Sequence, residues 1–212
     1  MAWAWDSNAA RYRNDGTGAF LSRFRLRAYV TSSISSSGDV TGALATLVGD
    51  GALSPTEWHN SMREEIKREY IRQYILGRGG RDRMTQADWG SVGGMLADQY
   101  RYLSGFRDDL ENLSPAQIAA RSRMYINSAR EGFERAHERV AGAWGADEIS
   151  WNLTSGAAHC TGCEGYASIG WAKIEDDPFS GDYPGSGGTP CISNCQCFLS
   201  YRNSFTGEEW LG

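Results

Sequence analysis

Lysine is nearly missing from this chain. Only Lys67 and Lys173 occur in 212 residues, so arginine supplies almost all of the positive charge. Guanidinium groups favour planar, bidentate contacts with carboxylate or phosphate, which suits a protein interface as well as a nucleic acid. No apolar run approaches the roughly 18 residues that a helical membrane span needs, so no such span is expected. The opening stretch MAWAWDSNAARYRNDGTGAF has no apolar core behind a basic segment, and a secretory signal is therefore not expected. The thiols are then expected to be made in a reducing cytoplasm, where disulfides rarely persist.

What is present points to an ordered protein. Hydrophobic residues make up 41% and charged residues 22%, which excludes a globally disordered chain. The charge is divided unevenly. Up to residue 146 there are 19 basic against 17 acidic residues, and from 147 onward 2 against 9. That break marks a change of character near Gly145.

Three regions follow. Residues 1–53 read as an arm with one short helix, in which Arg11, Arg13, Arg23, Arg25 and Arg27 are interleaved with Tyr12, Phe20 and Phe24. Alternation from Phe20 to Tyr29 suggests an extended piece, and TSSISSSGDVTG a serine-rich linker or a frayed helix end. An arm of this kind is expected to lie on another chain, with the five arginines as its partner-binding residues. Residues 54–146 read as a helical bundle. SPTE at Ser54 and SPAQ at Ser114 are capping boxes with proline at the first helical position, and TQAD at Thr85 is a weaker third. Behind Ser54, Trp58, Met62, Ile66, Tyr70 and Tyr74 recur every fourth residue along one side of a helix. Residues 147–212 read as a small cysteine-rich β module, with EISWNL and QCFLSYR as strands. The fold class expected is mainly α, an antiparallel bundle with a β-rich appendage.

All five cysteines fall between residues 160 and 197, just after His159. Cys160 and Cys163 have the two-residue spacing and intervening glycine of a metal-binding turn, and Cys191, Cys195 and Cys197 form the far side. Zinc requires four ligands, and any four of the five would satisfy it. Disulfides and free thiols are the competing readings; the odd count leaves one thiol over, and the expected compartment disfavours disulfides. A structural zinc ion is the favoured reading, with His159 as a supporting neighbour rather than a ligand.

No enzymatic constellation emerges. Asp108–Asp109, Asp176–Asp177 and Glu208–Glu209 are adjacent pairs whose side chains diverge, and GRGGRDR lacks the Lys-Ser/Thr of a phosphate-gripping loop. The chain is expected not to be an enzyme.

HCTGCEGYASIGW followed by PGSGGTPCISNCQCFLSY resembles the C-terminal signature of the Mu F-like phage head morphogenesis family, the minor head proteins. Cys160 and Cys163 match its first pair, Asn194-Cys195-Gln196-Cys197 its closing element, and Cys191 stands where many members carry histidine. LSPTEWHNSMREEIKREY, DWGSVGGMLADQYRYLSGFRDDL and SPAQIAARSRMYINSAR are also similar to the family. The resemblance implies a structural virion component, made in the host cytoplasm and present in several copies in a larger assembly. Its expected partners are the portal or the major capsid protein, with packaged DNA as a further contact, and its expected role is head assembly and DNA retention or delivery. A DNA-binding zinc-ribbon protein, a packaging accessory or a regulator, is the alternative.

Overall fold

The computed structural model describes residues 3–210, so only residues 1–2 and 211–212 of the expected regions lie outside it. Five long helices are followed by a small antiparallel sheet. The helices are α1 (Arg23–Gly49), α2 (Pro55–Arg78), α3 (Gln86–Asp109), α4 (Pro115–Asn127) and α5 (Ala129–Trp144). A hairpin of β1 (Trp3–Asp6) and β2 (Arg11–Asn14) precedes them. After them come β3 (Glu148–Asn152), the short helix α6 (Thr161–Ile169), β4 (Ala172–Lys173), β5 (Phe198–Arg202) and β6 (Glu209–Trp210), giving a four-stranded sheet in the order β4-β3-β5-β6. No helix among the described residues is long and apolar enough to cross a membrane.

The caps behave as their sequences dictate. Ser54, Thr85 and Ser114 each accept the backbone N–H three residues on, and Glu57, Asp88 and Gln117 reach back to the cap, closing three capping boxes. Trp58, Met62, Ile66, Tyr70 and Tyr74 are all fully buried on one face of α2. They share a core with Val92, Leu96, Leu103 and Phe106 of α3, Ile118 and Ile126 of α4, and Phe133 and Ala136 of α5.

Residues 1–53 differ from the expected arm. The extended piece and serine-rich linker are one 27-residue helix, α1, packed on α4 and α2. Its buried face is Leu26, Val30, Ile34, Ser37, Gly38, Thr41 and Ala45. Apart from its first three members these are small or polar, so the face has little hydropathy contrast and its 3.6-residue period is hidden. The serines have structural partners: Ser33 and Ser37 each donate a 2.9 Å hydrogen bond to the carboxylate of Glu69, which is buried on α2. Arg72 and Gln73 also donate to that carboxylate, so the buried charge is paired. The hairpin sits against the C-terminal end of α2, where the Tyr12 hydroxyl donates to the Leu76 carbonyl at 2.9 Å.

A second core lies under the sheet. It joins Ile149, Trp151, Leu199, Tyr201 and Trp210 to Cys163, Cys195 and Cys197, and Val140 and Ala141 of α5 enter it too. Helix α5 thus serves both cores.

Candidate metal centre

Two chain segments far apart in sequence build this site. Cys160 is the N-cap of α6, and its Sγ accepts the Cys163 N–H at 3.5 Å, which turns both sulfurs to one side. Gly162 lies between them because a Cβ there would come within 2.7 Å of Pro190 Cδ. The missing side chain lets the α6 turn close on Thr189–Pro190 and so reach Cys191. A 3-10 turn, Ile192–Asn194, then leads to Cys195 and Cys197 just ahead of β5. This turn holds Ile192 at φ 52°, a left-handed conformation that a β-branched side chain rarely adopts. Backbone strain of this kind persists only where surrounding contacts over-determine it. One such contact is Asn127 of α4, whose Nδ2 donates to Asn194 Oδ1 at 2.9 Å.

All five cysteines are unbridged. Cys163 Sγ stands 3.6 Å from Cys191 Sγ and 3.5 Å from Cys195 Sγ, far beyond the roughly 2.05 Å of a disulfide. Two groups of three form: Cys160, Cys163 and Cys191, and Cys163, Cys195 and Cys197, each with its sulfurs within 4.8 Å of one another. Either can hold a metal ion. Cys163, Cys195 and Cys197 are buried, while Cys160 and Cys191 are half-buried.

Thiol acidity is spread unevenly. Burial pushes the Cys160 thiol up, but hydrogen bonds from the Cys163 N–H and from Cys191 outweigh it and bring Cys160 down to about 7. The hydrogen bond from Cys195 brings Cys197 down to about 5 against its burial. Burial raises Cys163, and its bond to Cys197 raises Cys195. The thiolate is the metal-binding form, so Cys160 and Cys197 are disposed to give up protons to a cation, while Cys163 and Cys195 hold theirs until one binds.

His159 faces the same group. Its Nε2 stands 2.9 Å from the Thr154 carbonyl, which can only accept, so Nε2 carries a proton and, in the neutral ring, Nδ1 presents a lone pair. Nδ1 is 3.8 Å from Cys197 Sγ. Beneath the sulfurs lies an aromatic triangle of Trp151, Tyr166 and Phe179, with centroids 5.0–5.4 Å apart.

Of the five arginines expected to bind a partner, four are engaged within the chain. Arg11 lies 4.9 Å over the Phe20 ring, and Arg13 pairs with Asp6 at 3.6 Å. Arg23 donates to Ser200 Oγ and to the Trp210 carbonyl, and Arg27 stacks 3.2 Å over Phe198. Arg25 is exposed, with no ion pair among the described residues. Short-range sequence reading places charge but not its destination, which for Arg23 and Arg27 lies 187 and 172 residues away.

Sequence reasoning missed three contributors. Thr189 Oγ1 lies 3.2 Å from Cys191 Sγ. Arg130 is buried on α5 and feels the charge of Cys195 and Cys197. Glu134, fully enclosed on the same helix, is influenced by Arg27 and Arg130. Nothing in local composition marks these. The position of α5 beneath the sheet brings in Arg130 and Glu134, and the loop seated on Gly162 brings in Thr189. No protein-family model, curated protein or solved structure matches the chain.

Proposed function

We propose that this chain is a structural protein of a phage head, a minor head component that docks on portal or capsid subunits, and that its cysteine centre holds structural zinc. The observation carrying the metal reading is the convergence of Cys160–Cys163 with Cys191–Cys197 in an unbridged cluster. A tetrahedral ion with Zn–S bonds of about 2.3 Å sets its sulfurs about 3.8 Å apart. The 3.5 and 3.6 Å separations around Cys163 are close to that edge. Soft thiolates also select zinc over magnesium or calcium, which prefer oxygen ligands. When bound, zinc supplies a cross-link that replaces the missing bulk of a small glycine-rich core.

The head-component reading rests on the resemblance of CTGC and NCQC, with the helical segments before them, to the minor head family. It assigns no catalysis to the chain. The test is a comparison of phage heads assembled with and without this protein. The expected result is loss of the protein from the vertex, together with lower DNA content or infectivity. Heads unchanged in composition, DNA content and infectivity would overturn the reading.

A second reading, contact with DNA, draws on a groove of about 1160 Å³ lined by Arg23, Arg27 and Arg130 beside the hydroxyls of Thr31, Ser32 and Ser35. It ranks second because all three arginines are already bonded within the chain. DNA affinity that falls steeply with salt would favour it, and no binding at low salt would exclude it.

A further inference from the structure

We infer that the cysteine centre takes two thiophilic divalent ions, bridged by the sulfur of Cys163. The inference rests on the structural-metal reading and concerns how many ions that site holds. A single tetrahedral ion uses four ligands, and this pocket presents five thiols and an imidazole. They do not surround one point. They fall into two triads whose one shared member is Cys163.

Each triad has a further donor. Beside the second, His159 is held in the tautomer a metal ligand requires: its Nε2–H is committed to the Thr154 carbonyl, and its Nδ1 lone pair is 3.8 Å from Cys197 Sγ. Beside the first, Thr189 Oγ1 stands 3.2 Å from Cys191 Sγ and 3.9 Å from Cys163 Sγ. The first ion is therefore assigned Cys160, Cys163 and Cys191 with a neutral oxygen at its fourth position. The second is assigned Cys163, Cys195, Cys197 and His159. A thiolate sulfur has lone pairs enough to serve two ions, and Cys163 is, with Cys197, one of the two most deeply buried of the five.

Charge favours the same count. One divalent ion with five thiolates leaves about −3, or about −2 if the fifth stays a thiol, whereas two ions leave about −1. Arg130, on the neighbouring helix, is a buried cation that feels these sulfurs. Of these counts, two ions leave the smallest charge beside a guanidinium that Glu134 also draws on.

The experiment uses the full chain, made under reducing conditions with zinc supplied, desalted and weighed by native mass spectrometry. The expected result is a mass corresponding to two zinc ions per chain. A single ion would overturn the inference while leaving the structural-metal reading intact, and no ion would overturn both. Replacement by cadmium-113 then reads the bridge: two resonances split by mutual coupling through sulfur are expected. Two uncoupled resonances would overturn the shared Cys163, and one resonance would overturn the pair.

Discussion

Glu134 is a carboxylate with almost no access to water, set into α5 where it faces the sheet. Burial raises it to about 7, even though Arg27 and Arg130 pull the other way and Glu138 adds a like charge. Below about 4.5, folded and unfolded chains both hold this proton. Between about 4.5 and 7 the unfolded chain releases it and the folded chain keeps it, so its contribution to stability falls as pH rises through that window. The loss is about 3 kcal/mol at full titration. Other carboxylates run oppositely, notably Asp88, whose burial is outweighed by bonds from Thr85 and Arg139 and which is therefore lowered. The informative quantity is the difference between the native chain and Glu134→Gln. Denaturant melts from pH 4.5 to 8 should show the native chain losing stability relative to the variant as pH rises. A constant difference would refute the assignment.

Helix α2 approaches α5 so closely that one methyl group decides the contact. A Cβ on Gly77 would meet the Phe133 carbonyl oxygen at 2.5 Å and the Ala136 Cβ at 2.8 Å, both on the facing helix and neither able to swing away. Gly77→Ala is expected to destabilise by about 1–3 kcal/mol despite alanine's better helix propensity. Gly90→Ala on α3, where the added methyl meets nothing within 4 Å, is expected to stabilise by about 0.5–1 kcal/mol. Urea midpoints for the pair test the opposite signs.

Elements differ in how openly their sequences declare them. Helix α2 was legible because Trp58 to Tyr74 places large apolar groups at one period, and Ser54-Glu57 marks its start. Strands β3 and β5 were legible from short aromatic runs between glycine-rich loops, and they pair directly, Trp151 opposite Leu199. Helix α1 was hidden because it packs through Ser37, Gly38, Thr41 and Ala45, small or polar groups of which Ser37 bonds a buried carboxylate on another helix. At the cysteines, the meeting of the two segments could be read from CTGC and NCQC. Their division into two triads could not, since it follows from how Gly162 seats against Pro190.

At the scale of the whole molecule, the cysteines belong to only one of the two cores. The helical core contains Trp58, Tyr70 and Phe106 but no thiol, whereas Cys163, Cys195 and Cys197 are members of the core beneath the sheet. Removal of metal by a strong chelator is therefore expected to act locally. The near-ultraviolet dichroism of Trp151, Tyr166 and Phe179 should collapse, and most of the far-ultraviolet helical signal should remain. Equal loss of both signals would show that the bundle depends on the metal as well.

The clasp between Arg23 and the Trp210 carbonyl spans 187 residues of chain. During synthesis, α1 can settle on α2 and α4 long before that partner exists. Its guanidinium gains Ser200 first and can complete the clasp only once residue 210 has been made. The last fastening of the first helix is thus timed by the arrival of the final strand, and a nascent chain stalled before β6 would present an open seam to whatever quality-control machinery meets it.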